Sequence, residues 1–468
     1  MISPGLSMKD RSFIFYIVVG LIAFTYRTYV NFNQELILGV NGGYYPLQVR
    51  YIIENGKLGF SDMPLLFYLD AGIIKFISLF GVPISDTLIL NVVKWVDCLS
   101  IPLLLLPLYK IIKLQSQSIP FKLELGLILF AVLSFSPLIL VADLQKNALA
   151  ITFLFFFIAF LWEYFESKNK KQLIFCCIFL ILTGLTHFGT FVVAILFGLL
   201  SITYIFRQRA IIPIIIAASI SFVLIGIFDF TRLSRLLSVG SSLFSRPALL
   251  SGMIGPPDIF NILFSWGLAI VGIKILKNKN GSLLTYQKGF IFASIILLIA
   301  LSFPLLEGQY FRRLSLFLFI PQIVLIIIIA YQISQKTISK LSYSIFLVTS
   351  VSLLMMVARP KDMIIDQNGF ADLRQLNSYI KKDERTIIIA KHGLEWWTAW
   401  VLHIKVGQEK AIKDDFYNKY ENIYFLHQNT RHVKGKEHPP FPEPQIPENT
   451  ALIYKSDSFK VFALIKTK

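Results

Sequence analysis

Charge is what this 468-residue sequence has little of: Asp, Glu, Lys and Arg make up 16% of it, against 55% hydrophobic residues. Soluble globular chains carry about 25% charged residues, so a large soluble enzyme is excluded. Cysteine is nearly absent. Cys98, Cys176 and Cys177 all fall inside apolar runs, which leaves no disulfide framework and no Cys-x-x-Cys metal site. The sequence also lacks a Gly-rich phosphate loop, a His-Glu-x-x-His pair and a Gly-x-Ser-x-Gly elbow, so nucleotide hydrolysis and the common peptidase chemistries have no support. Disorder is excluded by the same apolar composition.

What charge there is leans one way, with 45 Lys and Arg against 28 Asp and Glu, a formal net charge of +17. The basic residues come in pairs and triplets between apolar runs. That is the pattern of loops on the positive side of a bilayer, and it argues against a nucleic-acid partner. A membrane helix needs about 20 apolar residues. Such runs predict about eleven spans, near 12–29, 88–110, 123–141, 147–165, 172–188, 189–206, 210–228, 259–277, 289–306, 314–333 and 341–358. Lys9 and Arg11 precede the first run and no small-residue cleavage site follows it, so a retained helix is expected in place of a signal peptide. With a cytoplasmic N-terminus, Lys110, Lys113 and Lys122, then Lys168, Lys170 and Lys171, then Arg207 and Arg209, then Lys277, Lys279 and Lys288, then Lys336 and Lys340 all lie inside. The run Met63–Phe80 carries Asp70 and Lys75 and would invert every later loop if it crossed, so it is expected to lie in the interface.

This topology leaves two long outer segments, 30–87 and 229–258, each expected to include a stretch lying on the membrane. Tyr44–Ile53 has the pattern of a short helix closed by Asn55-Gly56. From Arg359 the composition changes, and the chain divides into a transmembrane domain, 1–358, and a small extracytoplasmic α/β domain, 359–468. Helices are expected at Phe370–Lys382, Gly393–His403 and Asp414–Tyr420, and strands at Thr386–Ala390, Asn422–Leu426, Ala451–Tyr454 and Val461–Ile465. Trp396, Trp397 and Trp400 share one of these helices and should pack on the membrane or on the first outer loop. His427, His432 and His438 fall in a polar loop without a carboxylate or Cys geometry for metal. No internal repeat is visible.

Ionisable groups gather at the outer membrane surface, where they are costly unless paired or solvated. The first outer loop holds Glu35, Glu54, Asp62, Asp70 and Asp86; Asp143, Lys146 and Asn147 flank a short outer turn; His187 ends the fifth span; Glu307, Gln309, Tyr310, Arg312 and Arg313 precede the tenth. Each has a plainer reading: His187 as a helix cap, Asp143 and Lys146 as each other's partners, Arg312 and Arg313 as lipid anchors. Together, carboxylates able to deprotonate a hydroxyl and cations able to stabilise a phosphate leaving group suit transfer from a lipid-linked phosphate donor. A proton-coupled transporter would instead bury ionisable groups at the midplane, and the fifth, sixth, seventh and ninth spans carry none there.

The stretch Gly39-Val-Asn-Gly-Gly-Tyr-Tyr-Pro-Leu-Gln-Val-Arg50, then Asn55-Gly56-Lys57-Leu58 and Ser61-Asp62-Met63-Pro64-Leu65-Leu66-Phe67-Tyr68, resembles the first outer loop of GT-C glycosyltransferases. That superfamily includes protein O-mannosyltransferases and lipid A aminoarabinose transferases. Leu185-Thr186-His187, Asp143-Leu-Gln-Lys146-Asn147 and the C-terminal α/β domain are similar to features of its bacterial members. The resemblance implies a sugar carried on polyprenyl phosphate, a hydroxyl acceptor on a glycan, lipid or protein, reaction on the outer face of a bacterial inner membrane, and inversion at the anomeric carbon. One departure stands out: where the family places an acidic pair, this chain has Asn41-Gly42-Gly43. Asp62, ahead of Pro64-Leu65, is then the expected base, with Glu35 as the alternative. Tyr44, Tyr45, Arg50, Lys146, His187, Arg312 and Arg313 are expected to bind substrate. The sequence establishes no cofactor; a divalent metal stays open, but no ligand set is visible. Two other readings remain open, a glycolipid flippase and a non-catalytic scaffold of an envelope-assembly complex.

Overall fold

The computed structural model describes residues 8–114, 119–205, 208–252, 254–278, 283–330, 332–358, 363–412, 415–429 and 442–465. His432 and His438 lie outside them. Helices run in the order α1 (Met8–Phe32), α2 (Tyr44–Asn55), α3 (Leu65–Ser78), α4 (Asp86–Ser100), α5 (Leu105–Lys113), α6 (Phe121–Leu133), α7 (Phe135–Ile139), α8 (Gln145–Ser167), α9 (Lys170–Thr186), α10 (Phe188–Ile205), α11 (Gln208–Ser242), α12 (Pro256–Lys277), α13 (Thr285–Leu301), α14 (Gly308–Ser315), α15 (Phe319–Ile329) and α16 (Gln335–Ala358). The C-terminal region adds α17 (Gln367–Gln375), α18 (Leu394–Leu402) and α19 (Phe416–Lys419) with strands β1 (Thr386–Ala390), β2 (Lys405–Gly407), β3 (Asn422–Gln428), β4 (Thr450–Lys455) and β5 (Phe459–Leu464).

Each expected span meets an apolar helix or helix pair, but their lengths do not all reach across a bilayer. Among the described residues, eight helices are long and apolar enough to cross, or nine if α14 and α15, bent by 44°, count as one span. At 17 residues each, α9 and α13 are shorter than the roughly 20 residues a full crossing needs. Among the described residues, length and hydropathy thus support eight or nine full crossings and do not confirm eleven. The chain is an integral membrane protein, and its apolar helices share one large core centred on α8, α10, α13 and α15.

The 30–87 segment is built largely as expected. α2 ends at Gly56, whose φ of +71° lets its N–H close the last turn onto the Ile52 carbonyl. It does not lie on lipid, however. Tyr45, Leu47, Val49 and Ile52 are buried in a second core that joins α2, α3 and α4 to the C-terminal α17, α18 and β3. α3 is not long enough to span; it buries Leu66, Phe67, Asp70, Ala71 and Ile74 and leaves Tyr68, Leu69 and Phe76 exposed.

The C-terminal domain is a five-stranded mixed sheet in the order β2-β1-β3-β5-β4. β1 pairs in parallel with β2 and β3, while β5 runs antiparallel to β3 and β4. All four expected strands are present. β2 was not anticipated, because three residues leave no readable alternation. One sheet face packs on α17 and α18, the other on Phe416 and its neighbours.

Asp70 is out of place in this core. It is fully buried, and neither carboxylate oxygen has a hydrogen-bond partner. Burial holds its carboxyl well above the usual carboxylate range, and the charge of Asp97 pushes the same way. Folding thus raises this pKa above its unfolded value, so the folded chain binds the extra proton and stability falls as pH rises between the two values. Each unit of that rise costs about 1.4 kcal/mol once the pH is above it. Asp70→Asn should therefore unfold at a higher temperature than the native chain near pH 8, with the gap closing toward pH 4. Thermal unfolding in detergent across that range checks it; a gap independent of pH would mean that Asp70 does not titrate in the buried state.

Candidate active site

The candidate site is assembled from two adjoining segments and a third that is 84 residues away in sequence. α2 supplies Tyr44, Tyr45 and Gln48, the loop before α3 supplies Asp62, and the start of α8 supplies Lys146. Asp62 is 1% exposed, and Lys146 is also buried. The Lys146 ammonium is ion-paired to Oδ2 of Asp62, and the Tyr44 hydroxyl donates to the same oxygen at 2.5 Å. Oδ1 accepts the Met63 amide at 2.8 Å. That last bond departs from simple helix capping: Pro64 occupies the cap position of α3, and no side chain caps it. Lys146 also stands 5.4 Å from the Tyr44 ring centroid and 5.5 Å from that of Phe67, so its charge faces π-clouds as well as the carboxylate.

Gln48 fixes the loop that carries Asp62. Fully buried, it donates to the Tyr44 hydroxyl at 2.9 Å and the Phe60 carbonyl at 2.8 Å, and accepts the Gly59 and Phe60 amides at 3.0 Å. An amide that uses both donors and both lone pairs leaves the loop no alternative register. Sequence reading passed over this residue because a lone Gln on a helix gives no signal.

A second carboxylate, Asp143, comes from the turn before α8. Asp143 Oδ1 accepts the Asn41 backbone N–H at 2.7 Å and its side-chain amide at 3.1 Å, and the Tyr45 hydroxyl donates to the Asp143 carbonyl at 3.2 Å. Tyr45 lies between the two acids: burial first, then the charges of Asp143 and Asp62, hold its phenol well above its usual value. Lys146 is therefore the partner of Asp62, and Asp143 engages Asn41. The glycines after Asn41 are sterically required. A Cβ on Gly42 would collide with the Ile37 carbonyl, and one on Gly43 would sit 2.9 Å from the Trp397 amide nitrogen. An acidic pair does not fit at those positions, and the carboxylate nearest to them comes from the α7–α8 turn instead.

That turn is held by a buried ion pair. Arg27 of α1 donates to Asp97 of α4 at 2.6 Å, and Asp97 also accepts Asn31 Nδ2 at 2.7 Å and the Ala142 amide at 2.9 Å. Arg27 adds a bond to the Pro137 carbonyl at 3.3 Å. Neither residue was singled out from the sequence, because each sits alone inside an apolar run.

The other expected residues have other roles. Arg50 stacks on Trp400, 3.3 Å from the ring centroid, donates to the Trp400 carbonyl at 2.5 Å and pairs with Asp86 at 2.8 Å, which ties α2 and α4 to α18. Glu35 is exposed, and its backbone carbonyl accepts Lys94 at 2.7 Å. His187 joins α9 to α10, its Nδ1 accepting the Thr190 amide at 3.1 Å. Arg312 and Arg313 are exposed on α14. Arg312 lines a cavity of about 770 Å³ whose walls include Phe130, Phe319, Val348 and Met355, with Asp258 and Gln322 among its few polar groups. Among the described residues no cluster of three His, Cys, Asp or Glu side chains could hold a metal ion.

No family model matches the chain, and no curated protein matches it either. Among solved structures it is similar to that of ArnT from Cupriavidus metallidurans in the apo state, at 9% identity with 98% of each chain covered and a TM-score of 0.44. The structure of ArnT from Cupriavidus metallidurans bound to undecaprenyl phosphate is also similar, at 9% identity, with 96% of this chain and 97% of that chain covered and a TM-score of 0.36.

Proposed function

We propose that this chain is a glycosyltransferase that moves a sugar from a polyprenyl-phosphate donor to a hydroxyl acceptor at the outer face of a bacterial inner membrane. The observation that carries the reading is the buried Asp62, held by Lys146 and Tyr44. In this reading Asp62 is the general base: it takes the acceptor proton as the oxygen attacks the anomeric carbon from the side opposite the phosphate, which inverts that carbon. A carboxylate held by an ammonium is a poor base, so its partner must be drawn away. An arriving phosphate competes for Lys146 and leaves Asp62 free, which couples base strength to donor occupancy. Asp143 stabilises positive charge developing on the sugar ring. The basic loops assign the N-terminus to the cytoplasm and the C-terminal domain to the opposite side, where the donor is used.

The 770 Å³ cavity shares no lining residue with the Asp62–Lys146 site; its apolar walls suit an isoprenoid chain, and Arg312 offers a second cation for the lipid phosphate. Charge-assisted contacts to phosphate are about twice as strong as neutral ones. Replacing Arg312 and Arg313 together by Gln should thus weaken undecaprenyl phosphate binding by about tenfold or more. Titration of the purified protein in nanodiscs measures it, and unchanged affinity would leave the pair as ordinary lipid anchors. The reading as a whole is tested by transfer of labelled sugar from polyprenyl-phosphate donors to envelope glycolipid in reconstituted vesicles.

A further inference from the structure

The C-terminal domain does more than cover the site. Trp396 of α18 meets Tyr44 and Phe60 edge-on, with ring centroids 5.0 and 4.9 Å away, so one aromatic wall runs from α18 to the tyrosine that holds Asp62. Two polar atoms on this helix are buried without a partner. One is the indole Nε1 of Trp396, a donor; the other is Oε2 of Glu395, an acceptor. Glu395 is 1% exposed, and its Oε1 is already engaged, by Gln408 Nε2 at 2.7 Å and His392 Nδ1 at 2.9 Å. The His392 ring, 6.2 Å from that of Trp396, also contacts Glu395 Oε1 and is itself partly exposed.

An unsatisfied donor and an unsatisfied carboxylate oxygen in one helical turn are an unusual thing to bury, because each loses its hydration and gains nothing in return. Hydroxyl groups repair such deficits, since one donates to a carboxylate while another accepts from an N–H. Two neighbouring hydroxyls on a ring do so together, and the C–H face of the same ring packs on aromatic walls. From this complementarity we infer that His392, Glu395, Trp396 and Gln408 form a sugar-binding subsite that the C-terminal domain contributes to the reaction centre. Its ligand is a glycosyl ring with vicinal hydroxyls, belonging to the donor or to the acceptor. The inference rests on glycosyl transfer as the function, and it adds the binding role of α18.

The experiment uses the full chain in nanodiscs with free glucose, galactose, mannose, N-acetylglucosamine and arabinose, each followed by saturation-transfer NMR. At least one should bind. Trp396→Phe keeps most of the ring and removes the N–H; Glu395→Gln keeps the shape and removes the charge. Each should weaken that binding about tenfold, with an unfolding temperature like that of the parent. Exposed Lys405→Ala should change nothing. Displacement by the same sugar carried on undecaprenyl phosphate assigns the ring to the donor; displacement only by delipidated envelope glycan assigns it to the acceptor. Failure of all five sugars to bind, or binding that survives both substitutions, overturns the subsite and leaves the open atoms to ordered water. Asp62→Asn separates the two proposals: it should abolish transfer while sugar binding persists, and transfer that survives it counts against the assigned base whatever the subsite does.

Discussion

Asp62→Asn is expected to lower sugar transfer by at least about 10²-fold while leaving the unfolding temperature of the purified protein near that of the parent. The substitution is nearly isosteric, and the amide oxygen can still accept the Met63 N–H, while the NH2 group in place of Oδ2 donates to the Tyr44 hydroxyl instead of accepting from it. What it removes is the ability to take a proton and the charge that pairs with Lys146. Removing one partner of a buried ion pair ordinarily destabilises. Here Lys146 keeps the Tyr44 and Phe67 rings beside it, which limits the loss. A helix cap would behave differently: Asn caps about as well as Asp, so a purely structural role predicts normal transfer as well as normal stability. A stable Asp62→Asn protein that transfers sugar at close to the parent rate would rule out the base assignment, and Asp143 and then Glu35 would be the carboxylates to test.

The largest loss of stability should come from Asp97→Ala. Asp97 and Arg27 are buried with side-chain exposures of 0% and 2%, and breaking such a pair from one side typically costs about 3–5 kcal/mol because the remaining charge is stranded. Asp97 also accepts Asn31 and the Ala142 amide, so its removal frees the turn that carries Asp143 and leads into Lys146. The expected result is a large drop in the temperature at which the protein loses its fold in detergent, accompanied by reduced transfer. Arg27→Met combined with Asp97→Leu should recover much of the stability, since a hydrophobic replacement of a buried pair is often neutral or better. If Asp97→Ala unfolds like the parent, the pair is not what anchors the turn.

Much of this architecture is written in local patterns. Long apolar runs located the membrane helices, and short apolar runs rich in β-forming residues located β1, β3, β4 and β5. Asn55-Gly56 marked the end of α2 for a similarly local reason, the positive φ that glycine tolerates. The count of full crossings was less legible. α9 and α13 are apolar but short, and a hydropathy window does not distinguish a 17-residue helix from a complete span. The site was legible in part. Asp62 and Lys146 stood out because ionisable groups at a membrane edge are costly unless paired, and Tyr44 through the resemblance of the stretch around it. Their mutual partnership did not, since it closes over 84 residues of sequence. Gln48, Arg27 and Asp97 were invisible, each being a single polar residue whose meaning depends on what folds against it. The missing acidic pair found its explanation only in three dimensions, where Gly43 admits the backbone of Trp397.

The shared core of the 30–87 segment and the C-terminal domain has a consequence for the order in which the protein is made. Asp62 and Lys146 leave the ribosome early, yet the helix that walls them in, α18, begins at Leu394 and is held by Arg50 reaching the Trp400 carbonyl. Until the polypeptide beyond α16 has been delivered and has folded onto α2, Tyr44 and Phe60 have no Trp396 to pack on. During synthesis Asp62 and Lys146 are thus made well before the aromatic wall of α18 that packs on Tyr44 and Phe60.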